Sequence, residues 1–187
     1  MDPTANCKQN VPFDHSYWVI AAKLLAGSYS GASNKKQTSK NLKSLLGSGI
    51  RYVINLMEPH ELDGYSRLFV PYEDQIGAIA ASMGTQITIE RMPVRDMSVP
   101  PKAMMCHILD QIDKCIRLNK PVYIHCLGGR GRTGTVAGCF LVRHAFASGK
   151  TALERLQKLR KHTTEQSLPS PETSEQRYMV NSWVKGE

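Results

Sequence analysis

The sequence lacks the features that would place it in or across a membrane. Its 187 residues contain no uninterrupted apolar run near the length of a membrane-spanning helix, and no basic segment followed by an apolar one opens the chain. The sequence by itself therefore predicts a soluble protein with no signal peptide and no membrane span.

The sequence also lacks the cysteine and histidine spacings of a metal site. The cysteines are five, an odd number, and no two of them form a C-x-x-C pair. The histidines are scattered, and His60 with Glu61 lacks the second histidine of a zinc protease motif. We expect no metal, no cofactor and a reducing, cytoplasmic compartment. The cysteines are Cys7, Cys106, Cys115, Cys126 and Cys139.

Composition and length leave most function classes open. Apolar and charged residues make up 41% and 21% of the chain, as in an ordinary globular protein. A formal net charge of +8 favours an anionic partner or substrate without indicating which anion. The length suits one domain, so we expect a single domain over residues 1–187, with residues 1–15 poorly ordered.

Segments with the periodicity of strands and of helices alternate along the chain. Alternating β and α units predict an α/β domain with a mainly parallel sheet flanked by helices. A short strand and turn are predicted at 18–29, and further strands at 50–56, 86–91 and 122–125. Helices are predicted at 38–46, 72–83, 104–116, 132–147 and 151–162, and a last helix starts in SPETSEQ and reaches Trp183.

Three local side-chain pairs are predicted on these helices. Asp110 with Lys114, and Asp113 with Arg117, lie four residues apart opposite the apolar face, so we expect exposed ion pairs. Gly149 is expected to end one helix, and Thr151 with Glu154 to form the capping box of the next.

The stretch VYIHCLGGRGRTGTV, from Val122 to Val136, predicts an anion site. A strand ending at His125 and a helix beginning near Arg132 leave a loop at the carboxyl end of the sheet, where α/β folds place ligands. Its glycines let successive N–H groups point inward at a helix amino terminus. The residues predicted to bind phosphate are Leu127, Gly128, Gly129, Arg130, Gly131 and Arg132.

Cys126 opens this loop and is the candidate nucleophile. Amide donors, the helix dipole and a nearby guanidinium all favour the thiolate over the thiol. Arg132 supplies a planar fork that can grip two phosphate oxygens. We therefore expect Cys126 to attack a phosphoryl group that Arg132 holds.

The segment HCLGGRGRTG resembles the signature of the cysteine-dependent protein-tyrosine and dual-specificity phosphatases: His-Cys, five residues, then Arg and Thr or Ser. Further segments are similar, in the same order, to small bacterial-type members, and together they cover most of residues 18 to 184. The resemblance implies a phosphomonoester hydrolase with a cysteinyl-phosphate intermediate, acting on a phosphorylated protein or another phosphomonoester. The further segments are LLAGSYSG, INLMEPHEL, MPVRDMSVP, GCFLVRHA and SPETSEQ.

The resemblance also implies a general acid. Asp96, in VRDMSVP, lies 30 residues before Cys126 and is flanked by Pro93 and Pro100. Members of the family place their general acid at this position on a mobile loop. We expect Asp96 to protonate the leaving oxygen.

Three further residues acquire candidate roles from the resemblance. Thr133 follows the arginine where the family uses a hydroxyl to stabilise the thiolate, and His125 is expected to be buried and to orient the loop. Gln176 resembles the glutamine with which some members position the hydrolytic water, but with Thr173 it also matches a capping box. Both interpretations of Gln176 stay open.

Several alternatives remain at this stage. Arg130 would favour an inositol-phosphate or phosphoinositide substrate if it turned into the pocket, but we expect it to face solvent and favour a protein-tyrosine or dual-specificity phosphatase. An RNA 5′-triphosphatase uses the same loop, but no interleaving of aromatic and basic residues indicates an RNA track, so no nucleic acid partner is expected. A rhodanese-like sulfurtransferase has a shorter loop, and an inactive phosphate-binding module usually lacks one of the catalytic residues.

The other cysteines are expected in the core. Whether Cys106, Cys115 or Cys139 forms a protective disulfide with Cys126 on oxidation stays open.

Overall fold

The computed structural model describes residues 11–31, 35–62 and 68–187. These residues form five strands and six helices in one α/β unit. The strands are β1 (Ser16–Ile20), β2 (Leu24–Ser28), β3 (Tyr52–Asn55), β4 (Thr88–Arg91) and β5 (Val122–Cys126). The helices are α1 (Lys35–Gly47), α2 (Glu73–Ser82), α3 (Lys102–Arg117), α4 (Arg132–Arg143), α5 (Gly149–Leu159) and α6 (Ser174–Ser182).

The sheet has the order β1-β2-β5-β3-β4, and all of its strand pairs except the edge pair β1–β2 are parallel. This confirms the predicted α/β class with a mainly parallel sheet. Strand β5 lies in the centre and is buried along its whole length, as a strand covered on both faces must be. Cys126 at its end is in register with Ser28, and His125 with Asn55. The carboxyl ends of β2, β3 and β5 therefore meet at one edge.

Helices cover both faces of the sheet. On one face, α3 to α6 pack into a core with apolar side chains of the sheet such as Ile54 and Ile124. On the other face, α1 and α2 pack against side chains that include Val53 and Tyr123. The alternation of residues along β3 and β5 sends neighbouring side chains to opposite layers, so both strands hold the two cores together.

Two local predictions are corrected by tertiary packing. The segment 18–29, predicted as a short strand and turn, holds the end of β1 and all of β2, which pair as a hairpin. The capping box of α5 joins Ser148 to Thr151, not Thr151 to Glu154, because α5 already begins at Gly149. A side chain at Gly149 would collide with the backbone of Asn181, so glycine lets α5 begin against α6.

The aspartates of α3 have different partners from those predicted. Asp113 Oδ2 lies 3.2 Å from Arg143 Nε, and Asp113 Oδ1 lies 2.8 Å from His144 Nε2. Asp110 pairs with the same arginine. The predicted pairs within α3 are replaced because α4 packs along α3 and brings basic groups at its carboxyl end to the aspartates.

The amino-terminal segment predicted to be poorly ordered lies outside the described residues as far as residue 10. From Val11 onward the chain packs on the core, and the ring of Phe13 meets the ring of Tyr123 edge to face. In the described ranges, no helix combines the length and apolarity needed to cross a membrane.

Candidate active site

The glycine-rich loop joins the end of β5 to the start of α4, as predicted. Gly129 has a φ of 70°, and a Cβ at this position would collide with the backbone of Gly27 in β2. Only glycine suits both the left-handed conformation and the close approach. The N–H of Tyr29 donates to the carbonyl of Leu127 at 2.9 Å, which ties the loop to the end of β2.

The backbone N–H groups of the loop are available to an anion. No described residue accepts a hydrogen bond from the N–H groups of residues 127–134, and Gly131, the N-cap of α4, contributes no capping side chain. The positive end of the α4 dipole adds to the field of these amides. N–H groups without partners at a helix amino terminus can bind a phosphate.

Arg132 lies beside this loop with one edge of its guanidinium group filled. Both Oε atoms of Glu61 accept hydrogen bonds from Nη1 and Nη2 at 2.7 Å, and Nη1 also donates to the carbonyl of Val94 at 3.0 Å. Nη2 lies 2.9 Å from Oδ1 of Asp96. Nε is buried and has no hydrogen-bond partner among the described residues. The Nε and Nη2 edge is therefore the edge that can take an oxyanion.

The charge of Arg132 is stabilised by its surroundings. Burial disfavours the charged form of a side chain that is only 2% exposed. Hydrogen bonds to Glu61 and the negative charges of Cys126, Glu61 and Asp96 outweigh burial and hold the pKa of Arg132 above its ordinary value. The guanidinium group is thus charged, and it lies close enough to Cys126 for their charges to interact.

Cys126 and Asp96, which both interact with Arg132, differ in their exposure to solvent. Cys126, at the end of the central strand, is 3% exposed. The side chain of Asp96 is 55% exposed although its carboxylate contacts Arg132. A deep sulfur and an accessible carboxylate at one arginine match a nucleophile and an acid that meets the leaving group.

His125 holds the start of the loop through a partner that the sequence analysis missed. The hydroxyl of Tyr72 lies 2.6 Å from Nε2 of His125, and Nδ1 lies 3.2 Å from the carbonyl of Cys126. Burial lowers the pKa of His125 to about 4 and raises the pKa of Tyr72. We infer that Tyr72 donates to Nε2, so that the proton on Nδ1 points to the Cys126 carbonyl.

Thr133 and Gln176 are buried next to the loop. Oγ1 of Thr133 donates to the carbonyl of Gly27 at 3.3 Å. Gln176 forms the capping box of α6 with Thr173: its N–H donates to the threonine oxygen at 3.2 Å, and its Oε1 accepts from the threonine N–H at 3.1 Å. Its Nε2 donates to the carbonyl of Ser98, two residues beyond Asp96, at 3.0 Å.

Arg130 does not extend freely into solvent as expected. Its guanidinium pairs with Glu172, which precedes α6, and its side chain is 18% exposed. Its carbonyl accepts from the hydroxyl of Ser170 at 2.8 Å. The side chain of Arg130 is therefore occupied, and its backbone N–H remains for the anion site.

The remaining described cysteines are free thiols. Cys139 and Cys115 are buried in the core, as expected, and burial raises the pKa of each thiol. Cys106 on α3 is partly buried. Cys7 lies outside the described residues.

Glu61 and Tyr72 were not singled out from the sequence. Glu61 lies within the segment INLMEPHEL, whose similarity to known phosphatases was the available signal. Tyr72 lies 53 residues before His125, and no local pattern marks it as a partner.

Comparison with known families supports the same interpretation. The family model described as "Polymorphic toxin system, DSP-PTPase phosphatase" matches residues 28–146, which include Asp96 and the whole glycine-rich loop. The chain belongs to this phosphatase family. Among solved structures, the active form of Tk-PTP superposes on this phosphatase with a TM-score of 0.66 and 21% identity, covering 91% of this chain and 97% of the other. The two proteins share a fold.

Two curated relatives are similar over shorter ranges. Phosphatidylglycerophosphate phosphatase PTPMT2 from Arabidopsis thaliana is 30% identical over 122 residues, 65% of this chain and 48% of the relative. Cyclin-dependent kinase inhibitor 3 from Sus scrofa is 35% identical over 69 residues, 36% of this chain and 32% of the relative. This phosphatase therefore spans about half the length of these relatives or less.

Proposed function

We propose that the protein hydrolyses phosphomonoesters through a cysteinyl-phosphate intermediate and acts as a protein-tyrosine or dual-specificity phosphatase. The observation that carries the proposal is the open Nε edge of Arg132, which lies beside Cys126 and unpartnered loop amides, with Asp96 2.9 Å from Nη2. These groups supply a nucleophile, an anion site and a proton donor at one place.

In the first step, the Cys126 sulfur attacks phosphorus and the bond to the leaving oxygen breaks. Loop amides and the Nε and Nη2 donors of Arg132 hold the three remaining phosphoryl oxygens, whose charge they stabilise. Because Asp96 rests on Nη2, an incoming phosphate displaces it from the arginine. Once freed from the ion pair, the carboxylate takes up a proton from solvent and gives it to the leaving oxygen.

In the second step, water attacks the phosphocysteine and releases phosphate and the thiolate. Asp96, now ionised, takes a proton from this water. Thr133, which directly follows Arg132 and is buried beside the loop, can turn its hydroxyl from Gly27 to the departing sulfur. His125, neutral and held by Tyr72, keeps the Cys126 carbonyl pointing away from the phosphate.

The occupied side chain of Arg130 supports a protein substrate. In its pairing with Glu172, it does not offer a free cation for a second phosphate. The alternative is an inositol-phosphate or phosphoinositide phosphatase. The similarity to phosphatidylglycerophosphate phosphatase PTPMT2 favours a phospholipid substrate, the class to which phosphoinositides belong. The family match gives no support to an RNA 5′-triphosphatase or a sulfurtransferase.

A cytoplasmic location is part of the same proposal. It rests on the four free cysteines of the described ranges, one of which is the nucleophile and must stay reduced to act.

The test is a panel of initial rates at one salt concentration. The substrates are peptides with phosphotyrosine, phosphoserine or phosphothreonine, soluble inositol phosphates, a short-chain phosphoinositide and a 5′-triphosphate RNA. We expect the phosphotyrosine peptide to give the highest kcat/KM and Cys126→Ser to remove all turnover while still binding vanadate. Turnover by the serine variant within tenfold of the parent would refute the mechanism, and preference for an inositol compound would select the alternative.

A further inference from the structure

The segment that carries Asp96 is tied down on both sides of this residue. Before it, Nη1 of Arg132 donates to the carbonyl of Val94 at 3.0 Å. After it, Nε2 of Gln176 donates to the carbonyl of Ser98 at 3.0 Å. Met97, between the two, has a φ of 60°, a left-handed conformation that few residues other than glycine adopt. The candidate acid thus lies on a sharp turn held at both ends.

Gln176 joins this segment to two other parts of the site. Its Oε1 accepts from the N–H groups of Glu172 and Thr173, both at 3.1 Å, at the start of α6. A Cβ built on Gly131 would lie 3.1 Å from Oε1 and 3.2 Å from Nε2, so the amide lies directly against the end of the catalytic loop. The side chain is completely buried.

The hydrogen bonds of the Gln176 side-chain amide also identify which of its two ends is the oxygen and which is the nitrogen. Two backbone donors require the oxygen on the side of α6, and the nitrogen must then face the Ser98 carbonyl. A glutamine that positions the hydrolytic water has to accept a hydrogen bond from that water. Both lone pairs of Oε1 are already used by Glu172 and Thr173.

We propose that Gln176 is a positioning residue for the general acid: it holds the Ser98 carbonyl and thereby keeps Asp96 over the leaving group, without positioning water. The inference rests on the proposed function, in which Asp96 is the acid. Proton transfer needs the donor within hydrogen-bond reach of the leaving oxygen, and a displacement of about 1 Å can cost on the order of 10²-fold in rate.

Three substitutions separate this role from a general role in packing α6. Gln176→Glu keeps a side-chain oxygen for the N–H groups of Glu172 and Thr173, but its ionised form offers no donor to Ser98. Thr173→Ala is the matched control, because it removes the other half of the capping box and leaves the bond to Ser98. Gln176→Met, which is uncharged and of similar length, shows whether the added charge matters.

The measurement is kcat/KM for phenyl phosphate, with a poor leaving group, and for 4-nitrophenyl phosphate, with a good one. We expect Gln176→Glu and Gln176→Met to lower the value for phenyl phosphate about 10- to 100-fold and that for 4-nitrophenyl phosphate less than about threefold. Thr173→Ala should lower the Tm but leave the ratio of the two rates unchanged. In an Asp96→Asn background, Gln176→Glu should have no further effect on phenyl phosphate.

Two kinds of result would contradict the proposal. Equal losses on both substrates, or losses that multiply with those of Asp96→Asn, would overturn the positioning role and leave Asp96 as the acid. If Asp96→Asn alone slows both substrates equally, the acid assignment of the proposed function fails, and the role of Gln176 fails with it. The single Asp96 variant therefore distinguishes the two failures.

Discussion

Glu61 holds Arg132 by both carboxylate oxygens, each 2.7 Å from a terminal nitrogen of the guanidinium group. The pair is nearly buried, with side-chain exposures of 10% and 2%. Because Glu61 occupies the terminal edge, it holds the guanidinium group in one orientation and leaves the Nε edge without a partner among the described residues. In the proposed reaction, Glu61 thus orients Arg132 for the phosphate without contacting the phosphate itself.

Loss of this carboxylate should harm catalysis and stability together. Glu61→Gln leaves a buried guanidinium without its main counter-charge, so we expect the free energy of unfolding to fall by about 3 kcal/mol and kcat to fall at least tenfold. Vanadate, which neutralises the orphaned charge, should raise the Tm of the variant more than that of the parent. Thermal shift and steady-state kinetics measure both, with the exposed Glu154→Gln as control. An unchanged kcat would contradict the assignment.

Asp96→Asn tests the general acid. Protonation matters most when the leaving group is poor, so the variant should slow a phosphotyrosine peptide by about 10²- to 10⁴-fold and an activated aryl phosphate much less. The comparison of the two substrates, at several pH values, is the measurement. Equal losses would indicate misfolding or a different acid.

His125 should make stability depend on pH. Burial lowers its pKa in the folded protein from 6.5 to about 4. Below pH 6.5 the unfolded chain takes up a proton that the folded chain does not, so the free energy of unfolding falls as the pH falls from 6.5 toward 4. The contribution of this one group is roughly 3 kcal/mol over that range.

Urea unfolding at several pH values, on the parent and on His125→Gln, measures this contribution. The variant should lose less stability between pH 6.5 and 4.5 than the parent does. His107→Gln, at an exposed position on α3, is the control and should retain the slope of the parent. A His125 variant with an unchanged slope would show that this group is not the cause.

Among the described cysteines, Cys126 should be oxidised fastest. Cys126 opens the loop of N–H groups without partners and interacts with the charge of Arg132, whereas burial raises the pKa of the Cys139 thiol. Mild peroxide should inactivate the enzyme, vanadate should protect it, and added thiol should restore it. Mass spectrometry after labelling identifies the oxidised sulfur. Faster reaction at Cys139 or Cys106 would argue against a positive electrostatic potential at Cys126 from the loop amides and Arg132.

The candidate anion site could be predicted from the sequence by itself, because that site is local. A buried strand, a glycine-rich turn and a helix follow one another over residues 122–143, so the chain path alone places Cys126, the loop amides and the backbone of Arg132 in one turn. The α/β class was predictable for a related reason. Hydrophobic periodicity, and the glycines that end helices and strands, can be recognised within short segments.

Tertiary structure alone decided what surrounds this site. The partners in the bonds from Glu61 to Arg132, from Tyr72 to His125 and from Gln176 to Ser98 lie 71, 53 and 78 residues apart in the chain. No spacing rule links residues at such separations. Their contact follows from the strand order, which places β3 beside β5 and β4 beside β3, and from the packing of α2 and α6 around that edge. The position of α6 likewise pairs Arg130 with Glu172, and the packing of α4 along α3 pairs Asp113 with Arg143. Each of these side-chain pairs joins segments that are distant in the sequence, so no local sequence pattern predicts it.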